Sequence, residues 1–255
     1  NHEFNSNYEL FMTVSNITAE KENEQKIELL NLILSTIHNV NQLILREKNS
    51  HNLINEIPDM IVENGGFYTA WLILIDQNKF FLEFAQAGSN EDFSEFEECL
   101  HNGDIPICIE RSLNQPGVIV TREHLNTCSA CPFCLSDRES GAMTIRLEQE
   151  GIIYGILGLS TDREKIIEEG IILIEELARD IAFALHSIHG EEKNKEVQKA
   201  LFESEERVNL ALRGARLGLW DWHITEKKVI YNERWAEILG YKIEEITGDY
   251  DFWKN

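Results

Sequence analysis

Apolar positions in residues 19–48 fall at Ile27, Leu30, Leu34, Ile37 and Ile44, spacings of 3, 4, 3 and 7 that predict a helix. Asn41 occupies the heptad position left open by the longest step. So narrow a seam suits a two-stranded coil, in which one asparagine fixes register at some cost in stability. The alternative is an amphipathic helix packed on its own domain. A second helical stretch covers 161–214, with Ile167, Ile171, Ile174, Ala178, Ile181, Leu185 and Ile188 in heptad spacing. A charged run from Gly190 to Lys195 follows, and Val197, Leu201, Ser204 and Val208 resume the pattern in an offset register. Such an interruption predicts a hinge at the join, or two helices with a surface loop at Gly190.

Between these helices the period changes. Residues 50–62 read as a helix with Ser50 as its N-cap and Gly65-Gly66 as its end. Residues 68–75 and 79–87 read as strands joined at Asp76-Gln77-Asn78, a hairpin signal. Short helices are expected at 91–101 and 105–113, then a brief strand at 117–120. In 142–147, Met143, Ile145 and Leu147 share one face and Thr144 and Arg146 the other, while 152–160 forms the last strand after a turn at Glu150-Gly151. The expected class is α+β: an antiparallel sheet of about five strands with helices on one face, between long N- and C-terminal helices.

Composition narrows the class of partner. The 255 residues carry 23 Lys+Arg against 45 Asp+Glu, a net charge of −22, so the average field repels nucleic acid and anionic membrane surfaces alike. No apolar run approaches the roughly 18–20 residues of a bilayer span. No basic stretch followed by an apolar one opens the chain at Asn1, and the expectation is a cytoplasmic segment of a longer protein.

Candidate chemistry concentrates in Cys128-Ser129-Ala130-Cys131-Pro132-Phe133-Cys134, a C-x-x-C-x-x-C run, with Cys108 and His124 upstream. Thiolates separated by two residues can hold one metal ion, because a tight turn directs both sulfurs inward. Cys108, Cys128, Cys131 and Cys134 would complete a tetrahedral set for zinc or an iron–sulfur cluster. Two other readings stand beside it: a reversible dithiol switch, and reduced loop cysteines packed as small hydrophobes. Cys99, in the acidic helix at 91–101, is expected to take no part. Walker A, G-x-S-x-G and H-E-x-x-H patterns are absent, and His186 and His189 lack an H-[ED]-x-x-x-P phosphoacceptor context. No enzyme activity is expected of this chain.

The hairpin at 68–87, the strand Gly151-Ile152-Ile153-Tyr154-Gly155-Ile156-Leu157-Gly158-Leu159 and the helix Asp180-Ile181-Ala182-Phe183-Ala184-Leu185-His186 resemble a GAF domain of a sensor histidine kinase. Glu203-Ser204-Glu205-Glu206-Arg207, Gly218-Leu219-Trp220-Asp221-Trp222 and Leu239-Gly240-Tyr241 resemble the opening of a PAS domain. Val14-Ser15-Asn16-Ile17-Thr18 resembles the closing strand of a preceding one, with Asn16 where that family has Asp. The resemblance implies this organisation: a PAS tail at 1–20, a coiled-coil linker at 21–49, GAF at 50–190, a helical linker at 191–206 and the first part of a PAS domain at 207–255. It also implies a sensory role in a two-component system, relayed through a homodimer of the flanking helices to neighbouring PAS and kinase domains. A ligand cleft lined by Phe84, Phe93, Phe96, Ile109 and Met143 is implied too, unless these are ordinary core. An acidic rim of Glu91, Asp92, Glu95, Glu97 and Glu98 and the lack of an N-K-F-D-E signature disfavour cyclic nucleotides there. Cys108, Cys128 and Cys131 match the cysteines of a subgroup of such sensors, and related sensors add haem ligation by a cysteine or His124 as a further alternative. Against the sensory reading stand a metal, cluster or redox protein built on the cysteines, and a structural dimerisation relay that binds nothing.

Overall fold

The computed structural model describes residues 2–88, 94–103, 105–122 and 140–246, apart from the side chains of 2–18, 94, 95 and 99. The chain divides into two units, Asn1–Gly190 and Glu191–Asn255. In the first, α1 (His2–Arg46) and α2 (Ser50–Gly65) precede the sheet. Asn49, rather than Ser50, caps α2: its side-chain oxygen accepts the Asn52 N–H at 3.1 Å. Val14 to Thr18 lie within α1 and are helical, not a strand. A strand needs a neighbour to bond with, and among the described residues none precedes β1.

Strands β1 (Thr69–Ile75), β2 (Phe81–Ala87), β3 (Ile119–Thr121), β4 (Ser140–Gln149) and β5 (Ile152–Asp162) form one antiparallel sheet in the order β2-β1-β5-β4-β3. Between β2 and β3 lie α3 (Ser94–Asn102) and α4 (Ile107–Asn114). The hairpin turn between β1 and β2 is closed by Asp76, whose carboxylate accepts the N–H groups of Asn78 and Phe80, both at 2.8 Å. The α+β class is the expected one. Alternation along the strands supplies the packing. Leu72 of β1, Met143, Ile145 and Leu147 of β4, and Leu157 and Leu159 of β5 face α1, α2 and α5 (Glu168–Gly214), and form one core with Ile33, Ile37, Val40, Leu53, Ile57, Leu177 and Ile181. The structure adds a layer on the opposite face. There Trp71, Ile73, Ile75 and Ile156 pack on Phe96, Leu100, Ile109 and Leu113 of α3 and α4.

Within this unit α1 and α5 run in the same direction. Lys26 pairs with Glu169 at 2.5 Å, and further along both helices Asn41 donates to the Asp180 carboxylate at 2.9 Å. Helix α5 is unbroken through Gly190, where the sequence suggested a hinge or a loop. A single helical glycine costs about 1 kcal/mol, and the Glu- and Lys-rich residues around it are strong helix formers.

The second unit contains the latter part of α5, then β6 (Trp220–His223) paired antiparallel with β7 (Lys228–Tyr231), then α6 (Glu233–Leu239). Asn232 ties the hairpin to the helix: its carboxamide oxygen accepts the N–H groups of Trp235 at 2.9 Å and Leu219 at 2.8 Å. Val229 and Ala236 are buried, while Leu217, Leu219, Trp220, Trp222, Ile230 and Leu239 are exposed. Among the described residues no helix is long and apolar enough to cross a membrane.

Candidate functional site

The face of the sheet beneath α3 and α4 gathers most of the candidate residues that the structure describes. Trp71 sits flat on Gly158, its cross-strand partner in β5. A Cβ at that glycine would lie 2.0 Å from Trp71 Cε2, so only glycine admits the indole. Phe96 of α3 meets Trp71 edge-on at 6.5 Å between ring centroids and tilts against Phe84 of β2 at 5.5 Å. Phe81 meets the His101 ring edge-on at 4.6 Å. Gln86 lies opposite Trp71 across the β1–β2 pair. Its side-chain oxygen is shut off from solvent and has no hydrogen-bond partner among the described residues, an acceptor left open in an aromatic surround.

Beside this nest, α4 is stitched to β4 by buried hydroxyls. Ser112 Oγ lies 2.9 Å from the Cys108 carbonyl oxygen and 2.8 Å from Thr144 Oγ1, and Thr144 donates to the same carbonyl at 3.4 Å. Cys108, in the first turn of α4, is half-buried against the same apolar cluster. It is the one residue of the expected metal set that the structure describes. Cys128, Cys131 and Cys134, with His124, lie outside the described residues. Among the described residues no group of three or more His, Cys, Asp or Glu side chains is placed to hold a metal ion.

Of the expected cleft residues, Phe84, Phe96 and Ile109 do share this face. Met143 does not. It belongs to the core under α1, α2 and α5, because alternation along β4 turns Thr144 toward α4 instead. Phe93, Glu91 and Asp92 lie outside the described residues, as do the side chains of Glu95 and Cys99. Glu97 and Glu98 lie on α3, half-buried and exposed respectively. Trp71, Gln86 and Ser112 are not marked as site residues by the sequence pattern, and Thr144 is marked only as facing away from Met143. For Trp71 a signal existed, since Gly155 and Gly158 on one buried strand announce that something bulky approaches the sheet. Nothing in the sequence joins Ser112 to Thr144.

The helical seam proves to be divided. Ile37 is 7% exposed and faces the core, whereas Ile27 and Leu34 are 60% and 49% exposed. Asn41 is engaged by Asp180 within the chain. On α5 the heptad residues Ile174, Ala178, Ile181, Leu185 and Ile188 are all buried against the sheet. What these helices leave outside is a different pattern. Ile27, Leu34 and Leu45 on α1, and Ile172 and Phe183 on α5, are exposed and recur at steps of 7 and 11, which return to one side of a helix.

Two polar clusters fasten the sheet's ends. Tyr154 of β5 and His186 of α5 form a hydrogen bond of 2.8 Å, and His186 Nε2 lies 3.8 Å from the Glu150 carboxylate in the β4–β5 turn. Burial, then the nearby Glu150 charge, raises the Tyr154 hydroxyl's pKa. At the other end Asp162 accepts from Lys165 at 2.8 Å and from the Tyr68 hydroxyl. The Lys165 hydrogen bond, then that of Tyr68, holds its carboxyl below the ordinary range.

No family model matches the chain. Among curated proteins, 53 residues are 38% identical to a hybrid signal transduction histidine kinase A of Dictyostelium discoideum, a match over 20% of this chain and 2% of that protein's length. Among solved structures, the GAF domain of a phosphoenolpyruvate-protein phosphotransferase from Coxiella burnetii superposes with a TM-score of 0.49 at 13% identity, over 63% of this chain and 96% of that one. The A. aeolicus nlh2 GAF domain in an inactive state gives 0.49 at 9% identity, over 62% and 98%. The free methionine-R-sulfoxide reductase of Neisseria meningitidis, in complex with its substrate, gives 0.46 at 14% identity, over 62% and 91%.

Proposed function

We propose that the chain is the sensory GAF segment of a two-component sensor histidine kinase, with PAS neighbours on either side, and that it works as a homodimer. The observation that carries this reading is α5. One helix is built into the core of the sheet through Ile174, Leu177, Ile181 and Leu185, and continues without a break to Gly214. A change in how the sheet packs therefore acts directly on a rod that leaves the sensing unit. The input side is the opposite face of the sheet, where Gln86 offers an unused acceptor among Trp71, Phe84 and Phe96. The two faces are linked by single strands: in β4, Thr144 bonds toward α4 while Met143 and Ile145 pack toward the helices. The 38% identity to a histidine kinase over 53 residues supports the assignment. In this reading the chain regulates and performs no catalytic step of its own.

For the homodimer, the outer stripes Ile27, Leu34, Leu45 and Ile172, Phe183 are the contact. For the input, zinc or an iron–sulfur cluster held by Cys108, Cys128, Cys131 and Cys134 is the reading that best uses the cysteine spacing; Cys108, whose backbone carbonyl accepts the Ser112 hydroxyl, would supply one donor. A ligand shifts such an equilibrium only as far as it binds one state better, tenfold for each 1.4 kcal/mol.

The test is metal analysis and absorption of anaerobically purified protein, with amide exchange of α5 before and after chelation. Bound metal lost in Cys108→Ser and Cys131→Ser, with α5 exchange altered by chelation, is the expected result. A colourless metalloprotein identifies zinc and a visible spectrum a cluster or haem. Metal-free protein whose α5 exchange ignores both substitutions overturns the metal input.

A further inference from the structure

The sheet has one edge that the fold leaves unfinished. Strand β3 pairs with β4 only from Ala142 to Thr144, although β4 continues to Gln149 along β5. Upstream of β3 the chain turns away. Gly117 adopts φ +81°, a conformation natural to glycine, and the Val118 N–H points to Glu175 of α5 at 3.4 Å rather than to β4. From Ile145 to Gln149 the outer edge of β4 thus has no strand beside it among the described residues. A cleft of about 210 Å³ opens there, with Gly117, Arg146, Glu148, Glu175 and Arg179 in its lining.

The charges along this cleft have a particular order. On β4, Arg146 and Glu148 share a face and pair with each other, and Arg146 Nη1 reaches the Leu113 carbonyl at 3.4 Å. Arg146 Nε is buried with no acceptor among the described residues. On α5, Glu175 and Arg179 stand one turn apart. Each element carries one cation and one anion, disposed about a midpoint: Leu147 on the strand, Leu177 on the helix.

We propose that this edge is a contact between two copies of the chain, β4 against β4 antiparallel about a two-fold axis at Leu147. In that register Arg146 faces Glu148 of the second copy and Glu148 faces its Arg146, on one side of the sheet. Glu175 and Arg179 of α5 line the same cleft beside this edge. Along the strand every cation meets an anion, as a self-complementary two-fold contact requires. The open main-chain groups of residues 145–149 then find partners, and the joined sheets lose an exposed edge. This contact is separate from the outer helical stripes.

The experiment is a charge swap with trans rescue, followed by sedimentation of the whole chain. Arg146→Glu sets one glutamate against Glu148 of the other copy, and Glu148→Arg sets two arginines together. Each is expected to weaken self-association at this edge at least tenfold. An equimolar mixture of the two variants restores it, and so does the double variant. In the wild type, amide protection of residues 145–149 rises with protein concentration, and it survives Leu34→Glu and Phe183→Glu on the helical stripes. Should either swap fail to fold, the wild-type amide measurement decides alone. Protection that does not change with concentration overturns the proposal and assigns these charges to guarding a solitary edge. Protection gained only on adding a different protein overturns it in favour of another partner.

Discussion

Ile181 and Phe183 are two residues apart on α5 and should respond to truncation in opposite ways. Ile181 is fully buried, whereas Phe183 is 59% exposed. Replacing Ile181 by Ala leaves a cavity against the sheet, and such changes cost about 2–5 kcal/mol of folding stability. Phe183→Ala removes a ring that the single chain barely uses, so its folding stability changes by less than about 0.5 kcal/mol. In the proposed dimer the balance reverses. A Phe side chain carries roughly 200 Å² of apolar surface, of which on the order of 120 Å² is uncovered here, worth up to about 3 kcal/mol at 25 cal/mol/Å². Ala retains a minority of this, and a two-fold contact loses the difference twice. Even at half that efficiency the dissociation constant rises about a hundredfold. The assays are urea unfolding followed by far-ultraviolet circular dichroism, and sedimentation over a wide concentration range. Expected are a lowered unfolding midpoint for Ile181→Ala, and for Phe183→Ala an unchanged single-chain midpoint with a shift to lower mass. A wild type that sediments as a single chain throughout, or a Phe183→Ala variant of undiminished mass, refutes the helical dimer.

Three further outcomes follow from the packing. Gly158→Ala drives a methyl into the Trp71 indole at 2.0–2.1 Å, an overpacking expected to cost about 1–3 kcal/mol in urea unfolding; Trp71→Leu in the same chain should recover part of it, and a neutral Gly158→Ala would show that the indole sits elsewhere. Ser112→Ala strips the Cys108 carbonyl and Thr144 of a buried partner and should cost about 1–2 kcal/mol, with the exchange of α4 amides rising first; unchanged exchange would deny the stitch. Asp162 has its pKa lowered on folding, so its contribution is present above the unfolded carboxyl's pKa of about 3.9 and is lost as pH falls through the lower folded value. Asp162→Asn should therefore unfold at lower urea than the wild type near neutrality, with the gap closing below about pH 4; a gap independent of pH would assign it to geometry rather than charge.

What the residues disclosed, and what they withheld, follows from the nature of each signal. Period-two alternation in 142–147 says that Met143, Ile145 and Leu147 share a face, and they do. It is silent on which face that is, and so Met143 was placed in the cleft that Thr144 occupies. Heptad spacing in α5 records a demand for an apolar neighbour once or twice per turn. A sheet meets that demand as well as a second helix does, and Ile174 to Ile188 are spent inside the chain. The seam of α1 divides for the same reason: Ile37 answers to the sheet while Leu34 remains outside. Asn49 and Ser50 are both good caps and stand side by side, so the cap's position was open by one residue. The stitch from Ser112 to Thr144 joins positions 32 apart in sequence, with no local pattern to mark it.

In the proposed sensory role, signal passage through this unit is constrained by how little energy a ligand supplies. A ligand that prefers one state tenfold contributes about 1.4 kcal/mol, less than the loss of one buried leucine. A rearrangement that uncovers even one large core side chain is therefore beyond its reach, and the two states must keep Leu72, Leu157 and Leu177 covered. Along α5 the buried Ala178, Ala182 and Ala184 are interleaved with the buried Leu177, Ile181 and Leu185, so a slip of this helix is limited to what those long side chains allow without leaving the core. On the proposed input face, the groups that can change partners without uncovering apolar area are hydrogen-bonding ones: the Gln86 oxygen, without a partner among the described residues, and the Ser112–Thr144–Cys108 stitch. A donor that satisfies Gln86, or a metal that draws on Cys108, alters those bonds at the level of one to three kcal/mol apiece, about the size of the shift required. The strand between them, β4, carries Thr144 on one face and Met143 and Ile145 on the other, so exchange of a hydrogen bond on one face and a small shift of α5 on the other act on one and the same backbone.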